Sequence, residues 1–232
     1  MKADTFAKLV VLEVLIDAEI GYYLEHHPPP EDRFREEMVS RIGDLVDEID
    51  ALDAVAAARV YDAVVDFLAE LPDDDDGAVE ATLRFKRAVD RVVDRAMERR
   101  ELAAPPTWAI VLDELLDAVA DEYHAAVRAT GETRPREFLR ARLLLHRARD
   151  AAERMVREEP AAGRAEVRDA MDRLAFAITS RRLKPAAVDH LIRVPQRLAR
   201  GRRPSTLSSI GGFVIGQLIR RRRPAAGEGG AP

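Results

Sequence analysis

The chain has 232 residues, no cysteine and a formal net charge of −5, which excludes disulfides, thiolate metal sites and a cysteine nucleophile. Aromatic residues make up only 5% while hydrophobic residues reach 47%, so we expect an aliphatic core. The many Ala, Leu, Glu and Arg residues favour an all-α fold. Glu13 and Asp17 interrupt the apolar stretch near the N-terminus, so we expect no signal peptide and a cytoplasmic protein.

The first half of the chain predicts four helices, from apolar residues at a spacing of about 3.6 residues. Pro28–Pro30 ends the first helix, because proline cannot continue a helix. Asp53 is a suitable N-cap for the third helix, and Pro72 with Asp73–Asp76 forms a turn before the fourth. The predicted helices cover 4–26, 31–50, the segment that follows Asp53, and 77–102.

The second half repeats the first, beginning after Pro105 and Pro106. Six residues recur one hundred positions later: Val11, Leu12, Leu15, Asp17, Ala18 and Tyr23 match Val111, Leu112, Leu115, Asp117, Ala118 and Tyr123. Residues 78–84 match 187–193 at an offset of 109, and Pro195 is expected to interrupt the last helix. We therefore predict an all-α protein of two tandem helical bundles of about four helices each, related by internal duplication. Repeat 1 spans 1–104, repeat 2 spans 105–201, and a basic tail spans 202–232.

Paired carboxylates lie four residues apart in both repeats, Glu13 with Asp17 and Asp113 with Asp117. Such pairs can hold a divalent metal or carry out acid–base catalysis. All four fall away from the apolar stripe of their helix, however. This placement favours a solvated face over a metal site.

Asp121 and His124 form the one near match to the Glu-x-x-His motif of di-iron carboxylate bundles. The first repeat has Gly21 and Leu24 at these positions, so the duplication does not reproduce the motif. We expect no catalytic residue, no metal and no cofactor. A metal-binding helical-bundle enzyme stays as an alternative.

Glu19 differs from these acids because it occupies a position of the apolar stripe that Val119 fills in the second repeat. A buried carboxylate needs a polar partner. We expect an arginine from across the core or a tyrosine hydroxyl, unless Glu19 lies at the exposed boundary of the helix.

Charge is distributed unevenly along the chain. Residues 1–76 carry 6 basic and 21 acidic side chains, residues 77–180 carry 19 of each, and residues 181–232 carry 12 basic and 2 acidic ones. The net charges of these segments are therefore −15, 0 and +10. The asymmetry predicts that the C-terminal end contacts something anionic.

The tail holds the strongest functional signal, an uncharged segment 204–219 between two arginine clusters. The clusters are Arg200, Arg202 and Arg203 before it and Arg220, Arg221, Arg222 and Arg223 after it. The apolar contact residues are Leu207, Ile210, Phe213, Val214 and Leu218, while Ser208, Gly212 and Gly216 form a small-residue ridge. A helix from 207 to 219 would be about 20 Å long, too short for a hydrocarbon core of about 30 Å. We expect the segment to lie in the membrane interface with its arginines on anionic headgroups.

These observations favour a non-enzymatic cytoplasmic adaptor or scaffold whose tail contacts an anionic membrane surface, as a peripheral protein, or a protein partner. A DNA-associated transcriptional regulator is the alternative, since arginines also neutralise phosphates. Helices two and three would then form a helix-turn-helix around Leu52 and Asp53. The second of them carries Asp62, Asp66 and Glu70 with only Arg59, so DNA contact would have to come from the tail. A tail that packs on the acidic first repeat or extends without structure also stays open.

Overall fold

A computed structural model describes residues 3–26, 54–70, 75–127, 134–180 and 184–202, and part of 39–50. The described residues are all-helical, as the composition predicts. Residues from Arg203 onward lie outside the described ranges. The predictions for Arg203, for Arg220–Arg223 and for the apolar and small residues between them therefore stay predictions.

The bounds of the helices agree with the sequence pattern over most of the described ranges. The helices are α1 (Ala3–His26), α2 (Ala54–Glu70), α3 (Asp75–Ala96), α4 (Arg99–Ala103), α5 (Pro105–Ala126), α6 (Pro135–Met155), α7 (Ala161–Ser180) and α8 (Pro185–Arg200). Proline stands at the start of α5, α6 and α8, where its missing N–H group loses no helical hydrogen bond. Residues 39–50 are helical where they are described.

Two predictions about helix breaks are wrong. The helix predicted for 77–102 is divided into α3 and α4, because Glu98 adopts an extended conformation and forms a capping box with Glu101. The break predicted at Pro195 is absent, since α8 continues through it to Arg200. An interior proline removes one helical hydrogen bond. Pro195 is buried together with Val188 and Ile192, and this burial of apolar surface offsets the loss.

The helices of the two halves share one core. α6 packs against both α1 and α5, and α1 also packs against α5. α8 covers α5, α3 lies on α1, and α2 packs against α3. Buried residues from both halves form a single hydrophobic cluster, and the chain up to Arg202 forms one compact unit. The boundary predicted between residues 104 and 105 divides the two sequence repeats, and it stays a prediction.

The single tryptophan fixes the start of α1 against the second half. Trp108 meets Phe6 edge-on, with ring centroids 5.9 Å apart, and its indole N–H donates to the carbonyl oxygen of Leu102 at 2.6 Å. The Arg154 guanidinium lies over the same ring, 4.3 Å from the centroid. This geometry is typical of a cation–π contact.

Candidate functional site

Glu19 lies in the core with two arginine partners, which agrees with one of the arrangements expected from its position in the apolar stripe. Only 2% of the residue is exposed. Arg136 donates to Oε2 from its Nε at 2.7 Å and also from a terminal nitrogen, and Arg140 donates from Nε to Oε1 at 2.5 Å. Both arginines are on α6, one helical turn apart, so one helix supplies both donors to one carboxylate.

Arg140 extends this network to α5, because its terminal nitrogen lies 3.5 Å from a carboxylate oxygen of Glu122. Glu122 and Arg140 are both buried, and Arg136 is nearly so. Two carboxylates and two guanidinium groups therefore balance in charge where α1, α5 and α6 meet. Separating these groups would leave a buried charge unpaired, which is costly, so the network favours this packing of the three helices.

The paired carboxylates of the first repeat lie at the contact between α1 and α3. Lys86 donates to Asp17, with its Nζ 2.7 and 2.9 Å from the two carboxylate oxygens. Burial raises the pKa of Glu13 above the usual range of a glutamate, and repulsion by Asp17 and Asp90 adds to it, whereas Arg147 and Lys86 oppose it. These two acids are half-buried, which is less exposed than the predicted solvated face.

The corresponding acids of the second repeat lie at the contact between α5 and α8. Arg200 donates from Nε to both oxygens of Asp113 at 3.0 and 3.2 Å, and Gln196 donates to Asp117 at 2.5 Å. The solvated face predicted for Asp113 is wrong, because α8 covers this side of α5 and leaves the carboxylate buried. Burial, together with the neighbouring Asp117, also raises the pKa of Glu114.

One contact recurs at equivalent helix positions of the two halves, Asp17 with Lys86 and Asp117 with Gln196. In the second half, His124 bonds Asp189 at 2.7 Å, and Asp117 bonds Gln196 seven residues further along α8. In the first half, Asp17 bonds Lys86, and Gln196 follows Lys86 by 110 residues. The contacts therefore favour an offset of 110 in this helix, one residue more than the sequence alignment suggests.

His124 thus forms a hydrogen bond with Asp189, while Asp121 is exposed on the same helix. Across the described ranges, no group of three His, Asp or Glu side chains comes together in a way that could hold a metal ion. Four of the candidate ligands, Asp17, Asp113, Asp117 and His124, instead bond the side chains described above.

A cleft of about 180 Å³ lies between α6 and α7. Arg168 bonds Glu153 through two hydrogen bonds of 2.6 and 2.7 Å across it, and Arg149 bonds Asp172 at 2.5 Å. Sites for small organic ligands usually measure about 300–1,000 Å³. The cleft is smaller, and both of its arginines are already paired with carboxylates.

Comparisons of the chain with protein families, curated proteins and solved structures found no match.

Two of the predicted anion-binding arginines end the described part of the chain. Arg200 bonds Asp113, as described above, and Arg202 donates to Glu159 at 3.0 Å and to the carbonyl oxygen of Leu198 at 2.8 Å. These contacts fasten the end of α8 to α5 and to the segment between α6 and α7. The other tail arginines lie outside the described residues.

Two acids and one arginine, Asp62, Asp66 and Arg59, are exposed on α2. This acidic surface would repel phosphates, as expected from the sequence, and is unsuited to a DNA-recognition helix. Leu52 and Asp53, the predicted turn, lie outside the described residues. Among the described helices, none has both the length and the apolar composition needed to cross a membrane.

Proposed function

We propose that the protein is a helical adaptor whose compact unit, residues 3–202, presents a tail that binds anionic membrane surfaces. The observation that carries the proposal is the uncharged segment 204–219 with arginine clusters on both sides. Apolar side chains gain free energy in the membrane interface, and nearby arginines are attracted to anionic lipids.

The contacts of Arg200 and Arg202 sharpen the proposal. Both arginines are paired with carboxylates of the helical unit, so they are assigned a structural role. Arg203 and Arg220–Arg223 then carry the positive charge of the tail, where Glu228 is the single acid in 203–232.

We also propose that the helical unit arose by internal duplication, as two tandem bundles of about four helices. Buried Glu19 and Val119 occupy equivalent positions, one hundred residues apart. The Asp17–Lys86 and Asp117–Gln196 contacts also join equivalent helices. These correspondences support a scaffold built by repetition of one helical packing arrangement.

Co-sedimentation with vesicles tests the membrane proposal on the full-length protein. Vesicles of phosphatidylserine and phosphatidylcholine are compared with vesicles of phosphatidylcholine alone, at low salt. Each arginine near an anionic surface contributes about 1 kcal/mol. Replacing Arg220–Arg223 with Gln should therefore weaken binding to the anionic vesicles by up to about 4 kcal/mol, which is roughly three orders of magnitude.

The matched control removes four exposed arginines from the helical unit, as Arg87→Gln, Arg91→Gln, Arg142→Gln and Arg193→Gln. Its charge change equals that of the tail variant, so it should keep nearly full binding. Equal loss of vesicle binding in both variants would mean that binding depends on net charge alone, which would contradict a tail-specific site. Binding of a mobility-shift DNA probe, with no binding to vesicles, would favour the DNA-associated alternative.

A further inference from the structure

We propose that the packing of α3 on α1 is controlled by a proton: protonation of Glu13 tightens the docking of α3, and ionisation of Glu13 loosens it. The proposal does not depend on the tail, because every residue that carries it belongs to the helical unit. It follows from one difference between the two halves of that unit.

The second half has a carboxylate and a cation at the two positions concerned. Gln196 on α8 bonds Asp117 on α5 at 2.5 Å. One helical turn away, four residues later on α8 and four earlier on α5, Arg200 donates to both oxygens of Asp113 at 3.0 and 3.2 Å. The two helices therefore run antiparallel, and the buried carboxylate of Asp113 has an arginine opposite it.

The first half has a second carboxylate in place of this arginine. Lys86 on α3 bonds Asp17 on α1, which is the contact that recurs in the second half. The same steps of four residues lead from these two residues to Asp90 on α3 and Glu13 on α1, so two acids take the positions of the bonded acid and arginine. Among the described residues, neither Glu13 nor Asp90 forms a hydrogen bond or an ion pair.

The surroundings of Glu13 hold more negative than positive charge. Glu13 is half-buried, and the charged groups that act on it are Asp17 on α1, Lys86 and Asp90 on α3, and Arg147 on α6. Lys86 is bonded to Asp17, so it is not free to pair with Glu13. Burial raises the pKa of Glu13, and repulsion by Asp17 and Asp90 acts in the same direction, against the attraction of Arg147 and Lys86.

Docking of α3 and protonation of Glu13 favour each other. When α3 moves away from α1, Glu13 loses burial and the repulsion by Asp90, so its pKa falls back towards the usual range of a glutamate. Docking should therefore be tightest below that range and should weaken as the pH rises through the raised pKa of docked Glu13. Phe85 and Val89 of α3 are buried at any pH in this range, so ionisation changes how often the contact opens and does not detach the helix.

Hydrogen exchange followed by mass spectrometry tests the proposal on the full-length protein. Protection of the α3 amides is measured from about pH 4.5, near the usual pKa of a glutamate, to about pH 8, and each rate is divided by the intrinsic exchange rate at that pH. We expect the protection of α3 to fall at least about threefold over this range, the size of one unfavourable charge contact near the surface. The reference is α8, whose contact with α5 contains the Asp113–Arg200 ion pair; its protection should not fall, because an ion pair requires the ionised carboxylate.

The variant Glu13→Gln removes the proton site. It should make the protection of α3 independent of pH to within about twofold, the usual range of a surface substitution. The variant Asp90→Asn removes the repulsion but keeps the proton site, so it should reduce the fall in protection.

The decisive variant is Asp90→Arg, which installs the residue type that the second half has at the equivalent position. It should reverse the dependence, because an arginine opposite Glu13 pairs with the ionised carboxylate at neutral pH and loses that partner in acid. Asp90 is exposed, so the substitution is compatible with the fold, and thermal unfolding followed by circular dichroism checks this. The matched control Asp94→Arg makes the same change in charge at an exposed position one turn further along α3, and it should keep the wild-type dependence.

Four results would overturn the proposal. The first is a protection of α3 that does not fall with rising pH in the wild-type protein, and the second is an unchanged fall in Glu13→Gln. The third is a fall of the same size in α8, which would mean a change in global stability. The fourth is a reversal in Asp94→Arg as well as in Asp90→Arg, which would mean an effect of net charge. Vesicle binding is a separate readout, so failure of the tail proposal would be recognised independently.

Discussion

Arg140 connects the buried carboxylates of Glu19 and Glu122, and its removal is the sharpest test of how the helices are held together. The Arg140→Met substitution keeps a long, flexible side chain of similar volume but removes the cation. The carboxylates of Glu19 on α1 and Glu122 on α5 then remain buried. Arg136 on α6 still bonds Glu19. Removing one partner of a buried ion pair typically costs about 3–5 kcal/mol.

This loss is large compared with the stability of a typical domain, about 5–15 kcal/mol. For a domain of this size, each 1 kcal/mol shifts the midpoint of thermal unfolding by about 2–4 °C. Arg140→Met should therefore lower the midpoint by about 6–20 °C. Urea unfolding followed by circular dichroism measures the corresponding change in the free energy of unfolding.

Arg142→Met is the matched control, because Arg142 is exposed on the same helix. An exposed substitution of this kind usually changes stability by less than about 0.5 kcal/mol. A loss of less than about 1 kcal/mol for Arg140→Met, or a loss no larger than that of the control, would contradict this prediction, since the stability of the buried carboxylates would then not depend on Arg140.

Three further predictions concern charges at the helix contacts. Glu13→Gln should stabilise the protein at neutral pH. The pKa of Glu13 is higher in the folded than in the unfolded protein, so ionisation of Glu13 lowers the free energy of unfolding as the pH rises from the unfolded pKa through the folded pKa. In urea unfolding, the gain should disappear when the pH is lowered below the pKa range of unfolded carboxyl groups. Glu153→Gln should destabilise the protein at neutral pH. The hydrogen bond from Arg168 lowers the pKa of Glu153, so the stabilisation by this pair is present at neutral pH and is lost as the pH falls through the folded pKa. An unchanged dependence of the free energy of unfolding on pH in the variant would contradict the pairing. Arg200→Gln should lower the free energy of unfolding by about 1–2 kcal/mol, because it leaves the buried Asp113 carboxylate without this donor, but it should not change vesicle binding. The control Arg197→Gln should change neither stability nor vesicle binding. Loss of vesicle binding in Arg200→Gln would instead assign Arg200 to the arginines that bind the anionic surface.

The sequence predicts the helical class and singles out Glu19 as a carboxylate that needs a partner if it is buried, because both depend on local pattern. Apolar residues recur at helical spacing, and a carboxylate within that stripe requires a partner. The sequence cannot tell which arginines supply the partner. Arg136 and Arg140 come from more than one hundred residues away, and only the packing of α6 between α1 and α5 selects them.

The burial of Asp113 could not be predicted from its own helix. A helical wheel places it away from the apolar stripe, yet α8 packs on that side and brings Arg200 to it. The continuity of α8 through Pro195 has a similar cause, since tertiary burial outweighs a local preference. The alignment at offset 109 likewise follows residue similarity, whereas the corresponding contacts of Lys86 with Asp17 and of Gln196 with Asp117 indicate 110.

The most direct test of the proposed function places a probe within the tail. The chain has no cysteine, so Phe213→Cys gives a unique attachment site for an environment-sensitive fluorophore, and Phe176→Cys on α7 gives a control at an exposed position. A membrane-binding tail predicts a blue shift and stronger emission at position 213 when phosphatidylserine vesicles are added, with no change at position 176 and none with phosphatidylcholine alone. Unchanged emission at position 213, or the same change at both positions, would contradict the proposal.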